Sequence, residues 1–486
     1  MKTAKELLHR LKTNKTIGNI NINVSAVCFD SRKVEPHALF VAQKGTSFNG
    51  HDFIDTAIEK GAVCIVLEDL PPQLNDAVTY IQVDNASFAL GWIAAAFYDY
   101  PSEKIKLIGI TGTNGKTTTV TLLYRLFTDF GFKTGMLSTI ENKINNEILP
   151  STHTTPDAVA INCLLAEMLN QSCEYCFMEV SSHAIVQDRI SGLCFEGAVF
   201  SNITHDHLDY HKTFKEYIRA KKLFFDNLPA HAFALSNLDD VNGKVMLQNT
   251  KAKKYTYSLL NATADFKAKI NEYDFQGMHL AINGQEAWFL LTGSFNAYNL
   301  LVVYAVAQLL GLENKDILCH MSKLKPAEGR FDTVNGKNNI TAIVDYAHTP
   351  DALKNVLTTI RNIRKSDQRI LTLVGCGGNR DKTKRPEMAK IAYDLSDVLI
   401  LTSDNPRNEK PSDILKDMLK GVEKEDESKI FTIEDRKQAI KLSVSLSKKN
   451  DIILIAGKGH EKYQEINGLK HHFDDMEEIK KYLSVI

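Results

Sequence analysis

Residues 105–120 read IKLIGITGTNGKTTTV. The first half is dominated by apolar residues, as in a strand buried on both faces. A Gly-rich turn follows, then Lys-Thr, then a helix-like stretch. Strand, glycine turn and helix in that order make a phosphate-binding loop. Gly112 and Gly115 let backbone N–H groups approach a phosphate, and the helix N-terminus adds the positive end of its dipole. Lys116 would reach the β- and γ-phosphates, and the Thr117 hydroxyl would bind Mg2+. The loop is the short GTNGKT form, because Ile110 stands where the longer pattern has its first glycine.

On either side of this loop, strand-like and helix-like segments alternate almost throughout, which predicts an α/β protein. Before it, short strands are expected at 26–29, 38–42, 62–67 and 79–83, with helices at 51–60 and 87–98 and a linker at YDYPSE, 98–103. After it, strands are expected at 175–180, 198–203 and 232–236, a β excursion at 264–292, a helix at 296–310 and a second linker at 325–332. The last part reads as a regular βα series with strands at 341–345, 370–374, 398–402, 429–433 and 451–456. Such an open sheet binds ligands at the carboxyl ends of its strands.

The chain has 486 residues, which suggests about three domains. Lys+Arg is 58 and Asp+Glu is 59, a balance that argues against a nucleic-acid partner. The longest apolar runs, 88–97 and 300–312, fall short of the ~20 residues of a membrane span. The N-terminal MKTAKELLHRLKTNK reads as an amphipathic helix, not a secretory signal. Eight cysteines are too few for a disulfide scaffold. Cys28, Cys64, Cys163 and Cys194 sit in apolar runs, and Cys173-x-x-Cys176 has no second pair to complete a four-cysteine zinc site. Reduced, structural thiols in a cytoplasmic enzyme are expected.

Glu179 ends an apolar strand, where a carboxylate beside a phosphate loop is a natural Mg2+ ligand. His205, His207 and His211 cluster with Asp206 and Asp209. Spacing alone leaves a zinc site, a metal–phosphate site and a polar turn open.

TGTNGKTTT after an apolar strand resembles the ATP-binding signature of the Mur ligases and their folylpolyglutamate synthetase relatives, which join a carboxylate to an amine using ATP. The resemblance continues through STHTTPD (151–157), MEVSSHAIVQDR (178–189), YIRAKKLFF (217–225), GSFNAYNLLVVYA (293–305), DYAHTPDAL (345–353) and SDNPRNEKP (403–411). It implies three α/β domains: a UDP-sugar-binding unit over 1–100, a central P-loop unit over 101–328, and a Rossmann-like amino-acid-binding unit over 329–486.

Residue by residue, it implies ATP contacts from Gly112, Thr113, Asn114, Gly115, Lys116, Thr117, Thr118, Asn296, Asn299, Arg330, Asp345 and His348. Metal contacts would come from Thr117, Glu179, His207 and a carbamylated Lys221. The UDP-sugar would meet Phe29, Ser31, Thr46, Ser47 and Phe48, and its peptide end His153, Thr154, Thr155, Ser181, Gln187 and Arg189. His153 stands where relatives carry Asn. Asp404, Asn405, Pro406 and Arg407, with Arg385, Gly457 and Glu461, resemble the meso-diaminopimelate type of pocket, in which a guanidinium pairs with the far carboxylate.

The reaction so implied is addition of meso-2,6-diaminopimelate to the D-glutamate of UDP-N-acetylmuramoyl-L-alanyl-D-glutamate through an acyl phosphate, in peptidoglycan precursor synthesis, by a monomer. Alternatives are the same chemistry with L-lysine, or a folylpolyglutamate synthetase-like ligase, which would lack the UDP-sugar unit. A P-loop kinase or motor-type ATPase leaves the N-terminal segment and SDNPR unexplained.

Overall fold

The computed structural model describes residues 1–45, 48–151, 153–422 and 426–484. The N-terminal part is built on a five-stranded sheet in the order Lys15–Ile17, Thr79–Gln82, Cys64–Leu67, Leu39–Val41, Val27–Cys28. The last four strands run parallel, and Lys15–Ile17 closes one edge antiparallel. The terminal amphipathic stretch is helical only over Ala4–Leu8, where Thr3 and Glu6 form a capping box. Its last residue, Lys15, begins the strand Lys15–Ile17 instead, where edge pairing satisfies the backbone.

The central sheet has eleven strands. The P-loop strand Lys106–Thr111 lies between Tyr175–Glu179 and Gly197–Phe200, all parallel. The register sets Glu179 beside Ile110 and Phe200 beside Thr111, so the loops after all three strands open at one edge. The helices Lys116–Asp129 and Ser294–Leu309 pack on this sheet through Val120, Leu123, Phe127, Leu300 and Val303. The expected β excursion is three antiparallel strands, Phe266–Tyr273, Met278–Ile282 and Gln285–Phe289, turning at Asn283 and Gly284 with φ of 46° and 84°. The strands Thr134–Leu137, Glu141–Ile144, Glu147–Pro150 and Lys253–Ser258 carry too few apolar or alternating residues for the sequence to declare them.

The C-terminal sheet has six strands in the order Asp332–Asn335, Thr341–Asp345, Ile452–Ala456, Ile370–Val374, Val398–Leu401, Ile430–Thr432. The first is antiparallel and the other five are parallel. The strand of this sheet that comes last in the chain, Ile452–Ala456, thus inserts between earlier ones. The loops after Asp345, Ala456, Val374 and Leu401 become neighbours at the carboxyl edge, where this architecture binds ligands.

A buried ion pair ties this edge together. Arg436 and Asp475 are both fully buried and meet through two hydrogen bonds of 2.7 Å. The same guanidinium donates to the carbonyls of Ser403 at 3.2 Å and Ala456 at 3.0 Å. Asp475→Ala leaves that cation uncompensated and is expected to cost about 3–5 kcal/mol in urea unfolding. A loss below about 1 kcal/mol would contradict this account.

Every cysteine is free. Cys173 and Cys176 belong to the apolar core, and burial pushes both thiols up, which suits packing rather than redox chemistry. Cys163 is exposed on the outer face of Ala158–Asn170, contrary to the apolar run around it: a helix turns one side of such a run to solvent. Among the described residues no helix is long and apolar enough to cross a membrane.

Candidate active site

The phosphate loop is held from the neighbouring strand. Asn202 accepts from the Asn114 N–H at 2.9 Å through its side chain and from the Thr113 N–H at 2.8 Å through its carbonyl. The Ser201 hydroxyl donates to the Asn114 carbonyl at 2.6 Å. A Cβ on Gly112 would lie 1.9 Å from that hydroxyl, and one on Gly115, at φ 87°, would lie 2.6 Å from Asn299 Oδ1. Side chains at either position would fill the cradle. Lys116 bends back over the loop, donating to the carbonyls of Gly112 and Thr113 at 2.9 Å each. Loss of solvation pushes its ammonium below the usual lysine range.

Asn296 and Asn299 are both buried, and neither caps its helix. Asn299 faces the P-loop. Asn296 stands behind it, accepting from Asn299 Nδ2 at 3.0 Å. Arg330 reaches across from the C-terminal part, donating to the Thr117 hydroxyl at 3.2 Å with its guanidinium 4.5 Å above the Tyr346 ring. Asp345 builds a turn, its two oxygens accepting from the N–H groups of Phe331 and Ala347, both at 2.7 Å. His348 Nδ1 meets the Tyr346 carbonyl at 2.9 Å, and burial pushes its imidazole down to about 4, hence neutral near pH 7.

Glu179 is fully buried at its strand end and accepts from Thr139, through the N–H at 2.8 Å and the hydroxyl at 3.2 Å. His207 sits at φ 56°, 3.3 Å from Asp206 Oδ2, with its ring 4.9 Å from that of His183. The two histidines nearest it in sequence diverge. His205 is exposed near Asp381, and His211 is buried against the Ser182 hydroxyl at 2.8 Å. Among the described residues no three His, Cys, Asp or Glu side chains converge on a metal position. The donors at hand are a carboxylate, a hydroxyl and an imidazole. They fit a hard divalent cation that keeps water and takes phosphate oxygens, not a closed zinc cage. Lys221 is fully buried on Phe214–Asp226 with its ammonium 4.7 Å from the Tyr217 ring centroid. Burial, with Lys116 adding to it, pushes that amine well below the lysine range.

Thr154, Thr155, Ser181, Gln187 and Arg189 form one network beside Glu179. Thr154 accepts from the Thr139 hydroxyl at 3.0 Å, and the Thr155 hydroxyl donates to the Glu179 carbonyl at 2.8 Å. The Thr155 hydroxyl also accepts from the Ser181 N–H at 3.0 Å, and Arg189 donates to the Thr155 carbonyl at 2.9 Å and to Gln187 at 2.6 Å. Ser181 doubles as the N-cap of Ser182–Val186. His153 is exposed next to this network. In the N-terminal part, Ser31 is buried, Phe29 is half-buried and Phe48 stands 75% exposed. Thr46 and Ser47 lie outside the described residues, as does the side chain of Asp209.

At the C-terminal sheet edge, Asp404 and Asn405 are buried and Arg407, at φ 50°, is partly exposed. The Arg407 guanidinium donates to the Gly378 carbonyl at 2.9 Å and lies 3.3 Å from Glu465. Pro406 packs on the same turn: a Cβ on Gly378 would lie 1.9 Å from its carbonyl oxygen. Arg385, assigned by resemblance to the same pocket, is engaged within the fold. It is fully buried, and Glu409 and Asp417 already balance its charge at 3.0 Å each. Arg385 in turn holds the Glu409 carboxyl down to about 2. Gly457 and Glu461 follow the adjacent strand, and Asn405 donates to Glu461 at 2.7 Å. Thr139, Ser201, Asn202 and Tyr346 belong to the site although nothing in the sequence marks their role: Tyr346 lies inside DYAHTPDAL, and Ser201 and Asn202 just ahead of the histidine cluster. They act by holding other groups, so their spacing in the chain carries no signal.

Three family models match the chain in order: "Mur ligase family, catalytic domain" over 23–98, "Mur ligase middle domain" over 110–307, and "Mur ligase, glutamate ligase domain" over 329–459. A Cytophaga hutchinsonii protein named UDP-N-acetylmuramoyl-L-alanyl-D-glutamate–2,6-diaminopimelate ligase is 56% identical, covering 99% of both chains. A Bacteroides fragilis protein of the same name is 52% identical, again covering 99% of both. A solved structure of a ligase of that name superposes with a TM-score of 0.71 at 32% identity, covering 99% of this chain and 98% of that one. Whole-length likeness at that identity, on a P-loop edge facing a Rossmann-like edge, leaves one assignment: this chain belongs to the Mur ligase family.

Proposed function

We propose that the protein joins meso-2,6-diaminopimelate to the D-glutamate γ-carboxylate of UDP-N-acetylmuramoyl-L-alanyl-D-glutamate, with ATP cleaved to ADP and phosphate. The observation that carries this reading is the 52–56% identity, over 99% of both chains, to ligases named for that reaction. The Asp404–Arg407 turn at a ligand-binding sheet edge supports the choice of amine. In this reading residues 1–100 hold the nucleotide sugar, 101–328 hold ATP, and 329–486 hold the amine. ATP and a nucleotide sugar as substrates support a cytoplasmic setting.

A γ-carboxylate oxygen attacks the γ-phosphorus of ATP and ADP leaves, giving an acyl phosphate. The diaminopimelate amine, its proton lost, attacks the acyl carbon. Phosphate leaves and the amide remains. Lys116 exchanges its loop carbonyls for phosphate oxygens, and Arg330 adds a second cation from the C-terminal part. Thr155, Ser181 and Arg189 orient the peptide end. Glu179, Thr117 and His207, with Lys221 as a carbamate, would hold Mg2+, which supplies positive charge to the phosphates when bound. The protein's contribution is positioning and charge stabilisation, with no covalent enzyme intermediate.

Competition between meso-diaminopimelate and L-lysine tests the amine. The unmutated enzyme is expected to prefer diaminopimelate. Arg407→Ala is expected to shrink that preference about 10- to 100-fold, the worth of a charge-assisted pair. A preference for lysine in the unmutated enzyme would refute the amine, and an unchanged ratio in the variant would remove Arg407 from its recognition.

A further inference from the structure

Lys458 occupies the turn after Ile452–Ala456 and is 0% exposed. Its ammonium donates to Asn405 Oδ1 at 3.0 Å and to Glu461 Oε2 at 3.1 Å, and lies 3.9 Å from Asp404 Oδ1. The amide of Asn405 is thereby fixed in one orientation. Its oxygen also accepts from the Glu465 N–H at 2.9 Å, and its nitrogen donates to Glu461 Oε2 at 2.7 Å. The loop has no slack beside it. A Cβ on Gly457, at φ 117°, would lie 2.8 Å from Asp404 Oδ2. Three residues assigned above to the amine pocket therefore share one buried cation.

The charge count is specific. Two carboxylates, Asp404 and Glu461, face one ammonium, with the Arg436–Asp475 pair behind them. Glu461 Oε2 is used by Asn405 and Lys458, whereas Oε1, among the described residues, meets the Tyr346 hydroxyl alone, at 3.5 Å. Oε1 is the acceptor left for an incoming N–H donor. Burial and Asp404 push the Glu461 carboxyl up, and Lys458 pulls it back toward the ionised form. On the far side of Asn405, Arg407 presents a guanidinium. Together the turn can read a carbon that bears both an ammonium and a carboxylate, with separate groups for each.

We propose that Lys458 is a positioning residue: it aims Glu461 so that the pocket selects for an ammonium on the far carbon of the amine substrate, independently of the far carboxylate. This rests on the reading of the amine given above. Being wholly buried, Lys458 acts through Glu461 and Asn405.

The test compares kcat/KM for three amines in the unmutated enzyme and in Lys458→Met. Meso-diaminopimelate carries both far groups, L-2-aminopimelate lacks the far ammonium, and L-lysine lacks the far carboxylate. The unmutated enzyme is expected to prefer diaminopimelate over aminopimelate. In Lys458→Met that ratio is expected to fall about tenfold or more through a raised KM for diaminopimelate. The ratio of diaminopimelate to lysine and the KM for ATP are expected to hold within about threefold. An equal loss for all three amines would mark Lys458 as merely structural and overturn the proposal, as would unchanged ratios. Should Lys458→Met not fold, Lys458→Gln keeps a donor without the charge. There a fall of about threefold is expected, and an unchanged ratio overturns the proposal. Failure of the unmutated enzyme to prefer diaminopimelate over lysine would sink the amine reading itself, a separate result.

Discussion

Lys116→Ala is expected to lower kcat about 10^3-fold or more while leaving the fold intact. The lysine curls back over the loop, and its bonds to the Gly112 and Thr113 carbonyls place its ammonium where phosphate oxygens would lie. The substitution removes those two bonds, but Ser201 and Asn202 still fix the loop from the adjacent strand through Asn114 and the Thr113 N–H. Alanine at the first position of Lys116–Asp129 keeps full helix propensity. ADP release with nucleotide sugar and amine present, measured alongside thermal melting, separates the outcomes. Turnover within about tenfold of the unmutated enzyme would remove Lys116 from transition-state stabilisation.

Lys221→Ala is expected to remove most turnover, by about 10^2-fold or more, with little change in melting temperature. The reason is an imbalance in the fold. A fully buried amine with an aromatic ring for a neighbour loses its hydration, and Lys116 repels its charged form. A neutral amine is the form that adds carbon dioxide: a nitrogen–carbon bond forms, the amine proton leaves, and the product is an anion. That anion would be attracted by Lys116 and would be a metal ligand of the kind proposed for Glu179. Removing the side chain therefore takes away a functional anion, not a stabilising ion pair. Wild-type-like turnover in the variant would end the carbamate role.

Much of this organisation is legible in the order of residues. The P-loop is legible because its strand, glycines and lysine act locally, within a few residues of one another. So are the βα series and the turn 404–407, each following an apolar strand whose end fixes where the next residues emerge. The terminal helix is overestimated: it stops at Leu8, and Lys15, the last residue of the stretch read as helical, starts a strand that pairs with Thr79–Gln82, distant in sequence. The histidine cluster shows the same limit. Three histidines within seven residues suggest a shared role, but the left-handed turn at His207 sends His205 outward and His211 inward.

Residues whose chemistry lies in their own pattern can be proposed from the chain, as Lys116 is from the phosphate loop, Glu179 from its strand end, and His207 and Arg407 from the family resemblance. Residues whose chemistry lies in what surrounds them cannot. Arg385 has the charge of a pocket cation, but the fold commits it to Glu409 and Asp417. Lys458 has the look of a surface lysine between two glycines, but strand order buries it under Asp404, Asn405 and Glu461. The α/β class, the phosphate loop and the family's motif order follow from the amino-acid sequence alone, because these rest on local spacing. Which charges are free and which are already balanced follows from tertiary packing alone, because burial and ion pairing join residues far apart in the chain.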